Sequence, residues 1–347
     1  MKLDFIIVGL GLAGLSFVEQ LIQSKKKFVV FEDHSQCSSL VAGGVYNPVV
    51  LKRFTPVWNG NEQLEKAIPF YKSLEKKLGK QLLIPFKTKK VFKSIEDQNN
   101  WFSACDKPLV SKFMLPTIEN KKPHGVIANY GMGTVQFTGR VDTETLVTSY
   151  RNSLADTSEI IFEKFNYSQL DATEDSVHYK GFESDYIVFC EGYGIQKNPY
   201  FKDLPLKEAK GELLTIHAPD LEIDFLLKST VFVLPIGDHY FKVGATFNWK
   251  DKTSVPSNEG RIELIDKLKK VLTVPYTIVN QSAGIRPTVK DRRPLVGVHK
   301  KYKRMAVLNG LGTRGVMIAP TISEALFNHL EKGTALDSEI DINRFES

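Results

Sequence analysis

The chain has 347 residues, of which 42% are hydrophobic and 25% charged, and it carries a formal net charge of +6. That composition is too apolar for a disordered chain, and the length allows a sizeable core in one large domain or two. No run approaches the ~20 apolar residues of a membrane span, and Cys37, Cys105 and Cys190 form no CxxC pair of the kind that marks a disulfide framework or a zinc site, so a cytoplasmic protein without a metal is the expectation.

From the N-terminus, Asp4 to Val8 reads as a short buried strand and Phe28 to Phe31 as another. Between them, Leu12 to Ser24 sets Leu15, Val18, Leu21 and Ile22 at helical spacing. The apolar run from Phe5 to Leu15 reads as strand and turn in preference to a signal peptide, because Asp4 offsets Lys2 and glycines recur at fixed spacing. Ser38 to Val50 is rich in small residues, and an amphipathic helix is expected over roughly Glu62 to Leu78, ending near Gly79. The parallel alternation then stops. Residues 82–139 contain Pro85, Pro108, Pro116 and Pro123 and read as strands and loops with a short helix.

Asp142 suits the N-cap of a helix through Leu154, after which a strand over Ser184 to Cys190 runs into Glu191-Gly192-Tyr193-Gly194. From Lys210 the pattern is antiparallel, with strands at Glu212 to Ile216, Val231 to Leu234 and Tyr240 to Gly244 around a Gly237-Asp238 turn. A helix showing Ile262, Ile265, Leu268 and Leu272 on one face follows, then a glycine-proline stretch after Ser282, a strand at Met305 to Leu308, a turn at Gly310 to Gly315 and a helix to about Leu330. The interleaving predicts two discontinuous domains. Segments 1–58, 140–206 and 283–347 would form an α/β, Rossmann-like nucleotide-binding domain, and 59–139 with 207–282 a mainly antiparallel α+β cap.

Gly9-Leu10-Gly11-Leu12-Ala13-Gly14 is a GxGxxG placed directly after a strand and at the start of a helix, answered by Glu32 and Asp33 at the end of the next strand. Gly9 permits the tight turn, Gly11 lets a pyrophosphate approach the backbone, and Gly14 lets the helix pack close to the strand. The free N–H groups and dipole of the helix N-terminus, including Leu12 and Ala13, favour the diphosphate, and Glu32 suits ribose hydroxyls. NAD would satisfy these residues too. A chain that breaks its β-α alternation near residue 50 and returns with two more glycine turns fits FAD better, since a long isoalloxazine needs a second wall.

These motifs resemble the D-amino-acid oxidase family of flavoproteins, which includes glycine oxidase and sarcosine oxidase. The resemblance rests on Gly9 to Gly14 with Glu32, Ser38 to Pro48, Asp185 to Gly192, Gly284 to Pro287 with Asp291 to Gly297, and Gly310 to Gly315 leading to Pro320. It implies an FAD-binding domain of the glutathione-reductase type, with Ser38, Ser39, Gly43, Gly44 and Gly192 along the cofactor and Gly310, Gly312, Thr313, Gly315 and Val316 as the second wall. It further implies that Arg286 holds a substrate carboxylate, with Arg314 and Tyr46 as further catalytic candidates and Arg53 and Lys210 as weaker anchors. Glu191 departs from the small residue usual at its position. Gly284 stands where some members carry the cysteine that attaches FAD, so the cofactor is expected to be non-covalent, and Cys190 is expected in the core.

The implied activity is oxidation of the C–N bond of a small amino acid or N-substituted glycine, with hydride passing to flavin N5 and oxygen or another acceptor receiving the electrons. The Leu311 to Gly315 turn is also similar to the flavin domain of the bifunctional protein that matures wobble-uridine methylaminomethyl groups in tRNA, so the same chemistry on a tRNA is the alternative. The lysine clusters Lys25 to Lys27, Lys87 to Lys93 and Lys300 to Arg304 suit an anionic partner but read first as solvated surface. DNA is not expected. A flavoprotein without catalytic activity is the third reading.

Overall fold

The computed structural model describes residues 1–345. Its organising strand is Lys2–Val8, which pairs in parallel with Phe28–Phe31 on one side and Phe182–Phe189 on the other. Phe28 to Phe31 are all buried, as expected of parallel strands covered on both faces. Past the middle of Phe182–Phe189, Met305–Asn309 joins in parallel, so segments far apart in the chain lie side by side in an eight-stranded sheet. Helices Leu12–Gln23 and Gly315–Lys332 pack together over this sheet, with Phe17 meeting Phe327 edge-on at 6.5 Å. On other faces of the same strands, Phe31, Phe165, Tyr179 and Phe189 form an aromatic core.

The second sheet has nine strands. From its edge, Thr277–Val289 is followed by Leu206–His217, Tyr240–Gly244, Phe232–Gly237 and Leu226–Lys228, then by Leu83–Val91, Met132–Val141 and Val45–Tyr46, with Met114–Glu119 as the ninth strand, antiparallel to Met132–Val141. All these pairings are antiparallel except that of Leu226–Lys228 with Leu83–Val91. The hairpin turn centres on Asp238 and His239, with φ of 48° and 59°, one residue beyond the expected pair.

The expected boundaries cut through elements of this sheet. Thr277–Val289 is one continuous strand along Leu206–His217, so residues 283–289, Arg286 included, lie in the antiparallel sheet and not the parallel one. Val45–Tyr46 also belongs there, and Met132–Val141 spans residue 140. The amphipathic helix begins earlier than expected, at Gly60, and ends at Leu78 with Gly79 left-handed at φ 61°. The helix Asn258–Leu268 presents Leu264 and Leu268 inward, whereas Ile262 is 51% exposed. The close seat of Gly260 on Glu212 turns the helix to that face. Among the described residues no helix is long and apolar enough to cross a membrane, and no cluster of His, Cys, Asp or Glu is placed to hold a metal ion.

Candidate functional site

The N-terminal turn is as tight as its glycines require. Gly9 has φ +92°, and its N–H donates to the Phe31 carbonyl at 2.8 Å. A Cβ at Gly14 would stand 2.1 Å from the Gly9 carbonyl oxygen, so Gly14 serves helix packing and does not line the cavity. Gly11 caps the first helix without a side chain, and the Leu12 N–H donates to Ser39 Oγ at 3.2 Å. Glu32 is buried. Its Oε2 accepts from the Leu10 N–H at 2.5 Å, and its Oε1 accepts from the His34 N–H and from Arg151 Nη2, both at 2.9 Å. The carboxylate therefore holds the turn closed while facing the space beside it.

Two contacts bring the C-terminal turn to this one. The buried Asn309 amide donates to the Gly192 carbonyl at 2.9 Å and accepts from the Gly310 N–H at 2.7 Å. A Cβ at Gly315, where the last long helix begins, would stand 3.1 Å from the Leu12 side chain. Two helix N-termini thus open on one place, each without a side-chain cap. The segment after the second strand is stitched to the antiparallel sheet: Ser38 Oγ donates to the Ile285 carbonyl at 2.5 Å and Cys37 Sγ to that of Ala283 at 3.6 Å.

Between the sheets lies a cavity of about 1470 Å³. Of the residues singled out from sequence, Gly9, Gly11, Leu12, Ala13, Glu32 and Asp33 line it from the first turn, and Ser38, Ser39, Gly43 and Gly44 from the next segment. Gly192, Gly312, Thr313, Gly315 and Val316 line it from the second wall, and Arg286 from the antiparallel sheet. Its shape and chemistry fit FAD: anion-favouring helix ends, a carboxylate, and a cradle at Gly192 (φ +54°), where a Cβ would meet nothing within 4 Å.

Arg286 lies flat between backbone and ring. A Cβ at Gly211 would be 1.9 Å from its Nη2, the Phe247 ring centroid is 4.2 Å from its Cζ, and its Nη1 donates to the Thr246 carbonyl at 3.2 Å. Burial pulls its pKa down to about 10, and among the described residues no carboxylate pairs with it. Arg286 is half-buried, and a partly desolvated cation without a counter-charge is stabilised when a ligand supplies one.

Several expected residues stand elsewhere. Tyr46 is the neighbour of Val45, which lines the cavity, so strand alternation turns it away. Its phenol packs over Gly139, 6% exposed, and burial pushes it up to about 12. Gly310 (φ +74°) is pressed against Val289 and Leu295. Arg314 stands at the N-cap position of the last helix without a capping hydrogen bond, its charge disfavoured by burial and then by Arg292 and Arg293. Lys210 is fully buried against Asp251 at 2.5 Å, and Arg53 is exposed outside the cavity. Cys190 is buried in the core but also borders the cavity.

Sequence reasoning missed Gly211, Phe247 and Lys228, which line the cavity, and the role of Glu191. An isolated glycine inside a strand pattern was the available signal for Gly211. Glu191 lines the end near Asp33 and accepts from Asn198 Nδ2 at 2.8 Å and from the Tyr167 hydroxyl. Burial pushes its carboxyl up to about 7, these two donors pull it down, and Asp33 adds to the rise.

The family model described as FAD dependent oxidoreductase matches residues 4–328. A glycine oxidase of Bacillus subtilis (strain 168) is 29% identical over 149 residues, 39% of this chain and 40% of that protein. A tRNA 5-methylaminomethyl-2-thiouridine biosynthesis bifunctional protein of Marinobacter nauticus is 26% identical over 145 residues, 38% of this chain and 23% of that protein. The aligned stretch thus spans less than half the length of either relative. A solved glycine oxidase of Geobacillus kaustophilus superposes with a TM-score of 0.78 at 17% identity, covering 97% of each chain.

Proposed function

From a chain that belongs to the FAD-dependent oxidoreductase family, we propose an enzyme that oxidises the C–N bond of a small amino acid or N-substituted glycine. The observation that carries the substrate class is Arg286, a half-buried guanidinium facing the cavity with no acidic partner among the described residues. Its planar fork suits a carboxylate, and gripping one fixes the adjacent C–H bond. We read the parallel half as a Rossmann-like domain of the glutathione-reductase type that holds FAD non-covalently. When bound, FAD supplies the two-electron acceptor for that C–H bond.

The chain's own residues orient and desolvate. Gly211 leaves room for the guanidinium, and Leu213, Phe232 and Phe247 give the cavity apolar walls that strengthen the ion pair. The cavity-lining residues nearest Arg286 in the sheet, Gly211, Leu213 and Gly284, carry no titratable group. The amine must therefore arrive neutral, and the imine left after loss of hydride is hydrolysed by water.

The test is anaerobic mixing of the yellow holoprotein with amino acids and N-alkylglycines. Loss of flavin colour is expected, and Arg286→Ala should keep its flavin while kcat/KM falls at least ~30-fold, the ~2 kcal/mol of a charge-assisted pair. Unchanged reduction of the Ala variant removes Arg286 from the site. The second reading, the same oxidation on a tRNA, is favoured by Lys52, Lys228 and Lys267 in the cavity lining. It requires that no free amine bleach the flavin and that binding weaken steeply with salt.

A further inference from the structure

The antiparallel sheet carries a second cation, Lys228, with no acidic partner among the described residues, well away from Arg286. Lys228 and Lys267 both line the cavity. Lys228 ends the strand Leu226–Lys228, which lies four places from the Arg286 strand in the sheet order. At ~4.8 Å per strand the two backbones are ~19 Å apart.

Its register is unfavourable unless an anion joins it. Lys228 stands directly opposite Lys90 on the parallel neighbour, and like charges so placed repel. Lys90 has relief, since its Nζ donates to the Val91 carbonyl at 2.7 Å and lies 3.6 Å from Asp97. Lys267 is paired with Glu263 at 2.5 Å along its helix. Burial first, and then the positive charges of Lys90, Lys267 and Lys93, hold the Lys228 ammonium down to about 8. Its antiparallel partner is Phe232, another cavity residue, so the floor leading back toward Leu213 and Arg286 is apolar.

We propose that Lys228, with Lys267 beside it, is a second anion site that takes a phosphate or carboxylate borne by the far end of the substrate. This deepens the oxidase reading and rests on it: the preferred substrate is an elongated N-substituted glycine, its carboxylate on Arg286 and its second anionic group on Lys228. The cofactor's diphosphate does not fill this role, because the anion-favouring turn that suits it, Gly9 to Ala13, belongs to the other sheet.

Two measurements on the holoprotein decide it. Inorganic pyrophosphate, titrated calorimetrically, is expected to bind at least 10-fold more weakly to Lys228→Gln and to Lys267→Gln, with Lys228→Arg restoring affinity and Lys303→Gln leaving it unchanged. N-alkylglycines ending in phosphonate, with two to eight methylenes, are expected to exceed the methyl-ended series at least 10-fold in kcat/KM at the best length, an advantage that shrinks toward unity in Lys228→Gln. Flavin absorbance and thermal melting report folding of each variant. Equal pyrophosphate affinity in wild type and both Gln variants, or no phosphonate advantage at any length, overturns the proposal. If neither series bleaches the flavin, the oxidase reading fails by itself, and pyrophosphate affinity alone decides the anion site.

Discussion

At Gly211 a single methyl group would displace the Arg286 guanidinium, since the added Cβ lies 1.9 Å from Nη2. Gly211→Ala is expected to leave flavin binding intact and to raise KM for a carboxylate substrate at least ~10-fold, about 1.4 kcal/mol, which steady-state kinetics will show. Glu191 gives a pH signature. Its folded-state value of about 7 lies above the ordinary 4.5, so the native protein holds this proton more tightly than the unfolded chain. Its contribution is complete below pH 4.5 and is lost as pH rises through about 7. Urea unfolding of the apoprotein at pH 5 and pH 8 should show a smaller difference in Glu191→Gln, by up to ~3 kcal/mol. At this scale Glu32 was legible because its position follows from a motif with a known spacing, whereas Tyr46 was not: only pairing in a two-residue strand decides which way a side chain faces.

The elements that were legible are those whose apolar pattern is local. The first strand, helix and second strand announce themselves by period and by the glycines between them. Thr277–Val289 did not, since Gly284 and Pro287 read as loop markers. As the edge strand of its sheet, it tolerates a proline that an interior strand would not. Because the first helix packs directly on the glycine turn, Gly14→Ala should abolish FAD retention through gel filtration, with a Cβ 2.1 Å from the Gly9 oxygen. Asn309→Ala frees both the Gly192 carbonyl and the Gly310 N–H, and FAD affinity measured by fluorescence titration should fall about 10-fold, the ~1.4 kcal/mol of one buried hydrogen bond and part of another.

Over the whole molecule, interleaving of the two sheets was legible in the stops and restarts of the β-α pattern, but the division was not, because sheet membership depends on partners far away in the chain, as Val45 pairs with Arg140 and Leu206 with Val289. A ligand that fills the space between two sheets stabilises both, so FAD at a hundred times its Kd should raise unfolding free energy by ~2.7 kcal/mol over the apoprotein. The hydrogen bonds from Cys37 and Ser38 to Ala283 and Ile285 land on the residues just before Arg286. That seam ties the segment proposed to bed the cofactor to the strand that carries Arg286, the proposed carboxylate anchor. A simple carboxylate such as benzoate is therefore expected to bind the FAD-loaded protein more tightly than the empty one, and reciprocity then requires benzoate to lower the Kd of FAD by the same factor.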